Sequence, residues 1–155
     1  MTQTPLEMLT AYVRAFETLR AEEVVPYYEL PCTFIRPDGV WVVQDAATAL
    51  VLASHLIEHA KSQGYRRTGV SGVSVRTLAP GLVELGGIFL RYDAADAEIA
   101  RFGFTYIVRG GSDGWRIIVA VAHDATTDTT QLTRRRETDQ AVAGTTLDRR
   151  PVDLS

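Results

Sequence analysis

Cysteine is almost absent: Cys32 is the only one in 155 residues. A single thiol excludes an internal disulfide and any zinc cluster built from several thiolates. Surplus positive charge is missing too. Sixteen Lys and Arg stand against nineteen Asp and Glu, giving a formal net charge of −3. No basic stripe stands out, so no nucleic-acid partner is expected. No apolar run approaches the roughly 20 residues that a membrane-spanning helix requires. The first residues lack a basic segment followed by an apolar one, so no secretory leader is expected. These absences predict a cytoplasmic protein with no membrane partner. No G-x-G-x-x-G or phosphate loop occurs, which argues against a nucleotide, and no cofactor is expected. Ser71 in G-V-S-G and Ser112 in a turn both lack nucleophile-elbow spacing, so serine-hydrolase chemistry is set aside.

What is present reads as one domain. The chain is 46% hydrophobic and 23% charged, ordinary for a globular protein with its own core. Thr4, Pro5 and Glu7 spell the start of a helix running to Leu19: an N-cap, a proline in the first turn and a capping-box acid. Leu6, Leu9, Val13 and Phe16 repeat at helical spacing, with Tyr12 one turn from Leu9 and Phe16. A second short helix is expected from Ala21 to Tyr28, ended by Pro31. Cys32–Arg36 and Val40–Val43 then form a hairpin around Pro37-Asp38-Gly39, in which Pro fixes φ and Gly tolerates positive φ. Asp45 caps a third helix running to about Ser62. Leu50, Val51, Leu52, Leu56 and Ile57 make it apolar nearly all round, which predicts burial on more than one side.

Long β-runs follow over Tyr65–Leu78 and Leu82–Tyr92, then a hairpin over Glu98–His123. In the hairpin Phe102, Phe104, Tyr106 and Val108 alternate onto one face, as do Trp115, Ile117, Val119, Val121 and His123 in the returning strand. Gly72, Gly86, Gly87 and Gly103 inside these runs point to a strongly curved sheet. Helices first and a curved antiparallel sheet after make an α+β fold, with the N-terminal helices packed in the sheet's concave face. That domain spans 1–124. Residues 125–155 turn polar and Thr-rich around Arg134-Arg135-Arg136 and read as a flexible tail, with one short surface helix expected over 130–143.

This order of elements, with C-T-F-I-R-P-D-G-V before the third helix and D-G-W-R-I in the last strand, resembles the nuclear-transport-factor-2-like superfamily over roughly residues 5–124. That superfamily includes polyketide-cyclase-like and ketosteroid-isomerase-like proteins. The resemblance implies a cone-shaped α+β barrel, often dimeric, with an apolar pocket at its open end. In the isomerase branch a first-helix tyrosine and a protonated acid donate to an oxyanion, and an aspartate before a proline is the base. The tyrosine falls on Tyr12. The aspartate falls on Arg36, whose guanidinium stays protonated and cannot be that base. Phe102–Tyr106, where the acid belongs, holds no carboxylate. Steroid isomerisation by that mechanism is therefore not expected.

The candidate residues carry competing roles. Tyr12, His123 and Asp38 are the catalytic candidates: Tyr12 as an oxyanion donor, His123 or Asp38 as a general base. The plainer roles are a core tyrosine, a histidine capping the sheet edge and a turn-forming aspartate. Arg36 would hold a carboxylate or enolate oxygen at the mouth, or pair with Asp38 or Asp45. Phe16, Trp41, Phe89 and Phe104 would line the pocket or fill the core. His55-Leu56-Ile57-Glu58-His59 matches H-x-x-E-H, yet a zinc site needs a third ligand, so no metal is expected. The functional expectation is a pocket for a small apolar molecule, with cofactor-independent isomerase, cyclase or hydrolase chemistry by proton transfer. The alternatives are a non-catalytic binding module and a homodimer through the sheet, using Arg116, Ile118, Ala120 and Ala122.

Overall fold

Helix α1 (Pro5–Glu17) begins where the capping pattern places it. The Thr4 hydroxyl accepts from the Glu7 N–H at 3.1 Å, and the Glu7 carboxylate accepts from the Thr4 N–H at 3.2 Å. Two of the donors that a helix start leaves open are thereby satisfied. Met8, Leu9, Tyr12, Val13 and Phe16 bury one face of it. The structure, a computed structural model, describes residues 2–111 and 113–125. Ser112 and the polar segment 126–155, including the helix expected over 130–143, lie outside the described residues.

The second helix is shorter than expected. Helix α2 is Ala21–Val24, a 3-10 turn covers Val25–Tyr27, and Tyr28 already opens strand β1 (Tyr28–Arg36). Val24, Val25, Tyr27 and Tyr28 are weak helix formers. As a strand residue Tyr28 is buried and its hydroxyl meets that of Tyr12. Strand β2 (Gly39–Val43) follows, and Asp45 caps helix α3 (Ala46–Ser62) by accepting from the Thr48 N–H at 2.8 Å. Helix α3 buries only Ala49, Ala53, Ile57 and Ala60. Leu50 and Val51 stay 43% and 57% exposed, so the expected burial on several sides does not occur within one chain.

Strands β3 (Tyr65–Ala79), β4 (Leu82–Asp93), β5 (Glu98–Gly111) and β6 (Gly114–His123) complete one sheet in the order β2-β1-β6-β5-β4-β3. Among the described strands only the β1–β6 pair is parallel. Directly paired residues share a face, so register shows which way each side chain points. One row crosses all six strands on the concave side: Trp41, Phe34, Ala120, Tyr106, Leu85 and Val75. Leu85, Tyr106 and Ala120 in that row join the buried core with α1 and α3.

Between β5 and β6 the register slips. Ile107 pairs with Val119 and Val108 with Ile117, leaving Ile118 as an extra residue. Such a bulge reverses the alternation beyond it. Ile117 is therefore concave, but so are Ala120 and Ala122, paired with Tyr106 and Phe104. Val119, Val121 and His123 face outward, paired with Ile107, Thr105 and Gly103. The expected assignment of Ile117, Val119, Val121 and His123 to one aromatic face is corrected by that single residue. So is the expected outer face containing Ala120 and Ala122.

Candidate functional site

The concave side closes around a cavity of about 540 Å³. Its floor is aromatic. Phe89 and Phe104 stack at 4.1 Å between centroids with 15° between planes, and Phe102 meets Phe89 edge-on at 5.7 Å. Gly87 makes the stack possible. A Cβ there would lie 2.9 Å from the Phe104 ring and 3.1 Å from the Ser71 carbonyl oxygen. Ala100, Ala120 and Ala122 keep the β5 and β6 sides of the cavity open.

Deep in the core three tyrosines converge. The hydroxyls of Tyr12 and Tyr28 are 2.6 Å apart, and the Tyr12 ring meets Tyr28 and Tyr106 edge-on at 5.8 and 6.0 Å. Burial raises the Tyr12 pKa, with hydrogen bonding to Tyr28 and Tyr106 partly offsetting it. Burial raises Tyr28 and Tyr106 well above the ordinary tyrosine value. All three stay neutral at physiological pH and act as hydroxyl donors or acceptors. Of them, Tyr12 and Tyr106 line the cavity.

Arg91 is the charged group of the interior. It stands on the concave face of β4, next in the alternation after Phe89, and its guanidinium carbon lies 5.0–5.5 Å from the ring centroids of Phe102, Phe16 and Tyr65. Such distances fall within cation–π range. Burial lowers its pKa from the usual value, but a guanidinium remains charged at neutral pH. Nearer the mouth the lining continues through Arg36, His59, Gln63, Thr68 and Asp124.

The expected site residues separate into two groups. Tyr12, Phe16, Arg36, Phe89, Phe104 and His123 border the cavity, whereas Asp38 and Trp41 do not. Asp38 sits in the β1–β2 turn, 68% exposed at its side chain, with its carboxylate 3.5 Å from Arg36. Trp41 shares the concave face but lies beyond Arg36 on edge strand β2, 41% exposed, with the Arg36 guanidinium 5.9 Å above its ring. His123 meets the cavity at the end of β6, with its ring on the outer face. Its Nδ1 faces the Asp124 carbonyl at 3.0 Å and its Nε2 the Thr105 hydroxyl at 3.0 Å. A carbonyl can only accept, so Nδ1 carries the proton and Nε2 accepts from Thr105. Both hydrogen bonds lie on the outer face, so the ring does not aim a nitrogen into the cavity. His55 and His59 are exposed on α3, and no group of three metal-ligating side chains forms among the described residues.

Sequence reasoning passed over Arg91, Tyr28, Phe34 and the hydroxyl of Tyr106. The sequence does carry a signal for Arg91: Leu85, Gly87, Phe89 and Arg91 fall on one face by simple alternation. Tyr28 opens β1 where the sequence pattern predicts the end of a helix, so alternation does not point to it.

An α+β cone, with helices laid into a curved six-stranded sheet over an apolar cavity, defines the class. The family model described as "NTF2-like protein (DUF6841)" matches residues 6–125, and the chain belongs to that family. Solved structures share the fold. A domain of unknown function with a cystatin-like fold from Nostoc punctiforme is 15% identical, with 91% of this chain and 93% of that one covered at a TM-score of 0.60. An NTF2-like protein with a cystatin-like fold from Novosphingobium aromaticivorans is 11% identical, covering 80% and 81% at 0.62. An NTF2-like protein of unknown function from Shewanella oneidensis is 12% identical, covering 77% and 95% at 0.58. No curated protein matches the chain.

Proposed function

We propose that this protein binds a small, largely apolar molecule in the cavity of its cone and that binding is its primary activity. The observation that carries this reading is a cavity of about 540 Å³ with an aromatic floor and a few convergent polar groups, Tyr12, Tyr106 and Arg91. That combination of apolar wall and sparse polar anchors is what small-molecule sites use. A thermal-shift screen of apolar ring compounds and fatty acyl compounds tests it. A ligand at 100 times its Kd adds about 2.7 kcal/mol of stability. Ala100→Phe, which fills the cavity from the β5 side, should abolish the shift in a folded protein. A screen without hits, or hits that Ala100→Phe leaves unchanged, would overturn the reading.

A proton-transfer enzyme is the second reading. It is favoured by one observation: two neutral tyrosine hydroxyls and a guanidinium line the same cavity, where they would stabilise developing negative charge. Asp38 lies outside the cavity lining, and the His123 ring is on the outer face of the sheet. The base in this reading is His59 on α3, which borders the cavity. Chemical change in the bound compound, lost in His59→Ala with binding retained, distinguishes the two readings. A place in the ketosteroid-isomerase-like branch would account for Tyr12 alone, because Arg36 stands where the branch's base belongs. We further propose a cytoplasmic homodimer joined through the outer face of the sheet. The lone buried thiol of Cys32 fits the reducing cytoplasm.

A further inference from the structure

Arg91 is the one arginine among the described residues that is not exposed. The other described arginines either pair with a carboxylate or reach water: Arg20, Arg36, Arg67, Arg76, Arg101 and Arg109 form ion pairs, and Arg14, Arg66 and Arg116 are exposed. Arg91 makes no ion pair and no side-chain hydrogen bond to any described residue. Glu17, one position from Phe16, turns its carboxylate instead to the Thr68 N–H at 2.9 Å. The groups that bear on the Arg91 charge are the hydroxyls of Tyr65, Tyr12 and Tyr106, all three held neutral by burial. A half-buried cation is normally paired, because desolvation without a partner is costly.

The surroundings say what kind of partner is missing. The cross-strand neighbours of Arg91 are Ala100 and Thr68, both short, so the guanidinium faces open cavity. Rings of Phe16, Tyr65 and Phe102 stand 5.0–5.5 Å from its guanidinium carbon, and none of them can accept its N–H groups as a carboxylate would. The charged residues lining the cavity are Arg36 and Arg91 against Asp124 at the mouth. Among the described residues the interior thus offers a planar cation and two hydroxyls, with no carboxylate beside them.

We propose that the ligand is an aromatic or alicyclic carboxylic acid, bound with its carboxylate on the Arg91 guanidinium and its ring against Phe89 and Phe102. A planar two-oxygen anion matches the fork of guanidinium N–H groups, and Tyr12 and Tyr106 line the same cavity. This rests on the cavity being a ligand pocket and adds the charge and shape of what fills it.

The test compares 2-naphthoate with 2-naphthamide, a neutral molecule of the same outline, by calorimetric titration of the full chain. The acid should bind at least about tenfold more tightly, the margin one charge-assisted contact provides. Arg91→Met should erase that preference, and Arg91→Lys should keep part of it. If the amide binds wild type as well as the acid does, the carboxylate inference falls and the apolar pocket stands. Preference surviving in folded Arg91→Met also overturns it. If neither probe binds, the inference falls together with the pocket reading. The comparison in the wild-type chain needs no variant, so misfolding of Arg91→Met cannot mask the answer.

Discussion

The Tyr12–Tyr28 hydroxyl pair is the clearest single-residue commitment in this core. The two oxygens are buried and 2.6 Å apart, so truncating one strands the other. Tyr12→Phe and Tyr28→Phe should each cost about 1–3 kcal/mol in urea unfolding. The double variant should cost less than their sum, because both polar groups leave together. Strict additivity would mean that the hydroxyls do not depend on each other. The same residues set the response to alkali. Tyr12, Tyr28 and Tyr106 have folded pKa values above the ordinary 10.0, and Cys32 is pushed from 9.0 to about 11 by burial. Raised values mean that the unfolded chain releases protons first, so stability is complete below pH 9 and falls as pH rises through 9–11 and beyond. Urea midpoints from pH 7 to 11 should be level up to about 9 and decline above it. Cys32→Ala should delay the onset of the decline, and an unchanged onset would remove the thiol from this account. At this scale the sequence is legible where chemistry is local. Thr4, Glu7 and Asp45 cap helices as their spacing states, whereas the partner of Tyr28 lies sixteen residues away and only packing reveals it.

Among the elements, the strands decide what the cavity can hold. Gly87 sits under the Phe104 ring, and a methyl group there must push apart the stack on Phe89. Gly87→Ala should cost about 1–3 kcal/mol, the usual range for overpacking, and should weaken any ligand of the cavity. Asp45→Ala offers the contrast. It removes one exposed cap bond, should cost about 1 kcal/mol, and should leave ligand affinity unchanged because Asp45 does not touch the cavity. Equal effects of the two variants on binding would separate cavity shape from the Phe89–Phe104 stack. Element types and most of their ends can be read from periodicity and turn residues. The bulge at Ile118 cannot, since Ile117-Ile118-Val119-Ala120-Val121 is strand-forming throughout and contains no glycine to mark the extra residue. Missing it reverses His123, which then looks like a base inside the cavity when its ring is on the far side of the sheet. Helix α2 fails for another reason: propensity is a weak guide over eight residues, and the burial of Tyr28 outweighs it.

At the scale of the whole molecule, one chain leaves apolar surface exposed on the outer face of its sheet. Two adjacent rows on the outer face run Val42, Thr33, Val119, Ile107 and Val40, Ile35, Val121, Thr105 across β2, β1, β6 and β5. None of these residues belongs to the core cluster or packs against it. Val40 and Val42 are more than half exposed. In the proposed homodimer this face would meet the same face of a second copy across a two-fold axis. Its charged residues lie at the margin, with Glu84 and Arg76 continuing the first row on β4 and β3 and already paired at 3.2 Å. Val119→Arg places a cation at the centre of the face without touching the concave side. Light scattering should therefore give twice the chain mass for wild type at micromolar concentration and the single-chain mass for Val119→Arg. Cavity ligands should bind the variant with unchanged affinity, because Val119 faces away from Tyr106 and Phe104. A monomeric wild type would remove the outer face as a subunit contact. A dimer that survives Val119→Arg would move the contact elsewhere, and the exposed Leu50 and Val51 of α3 would be the next surface to substitute.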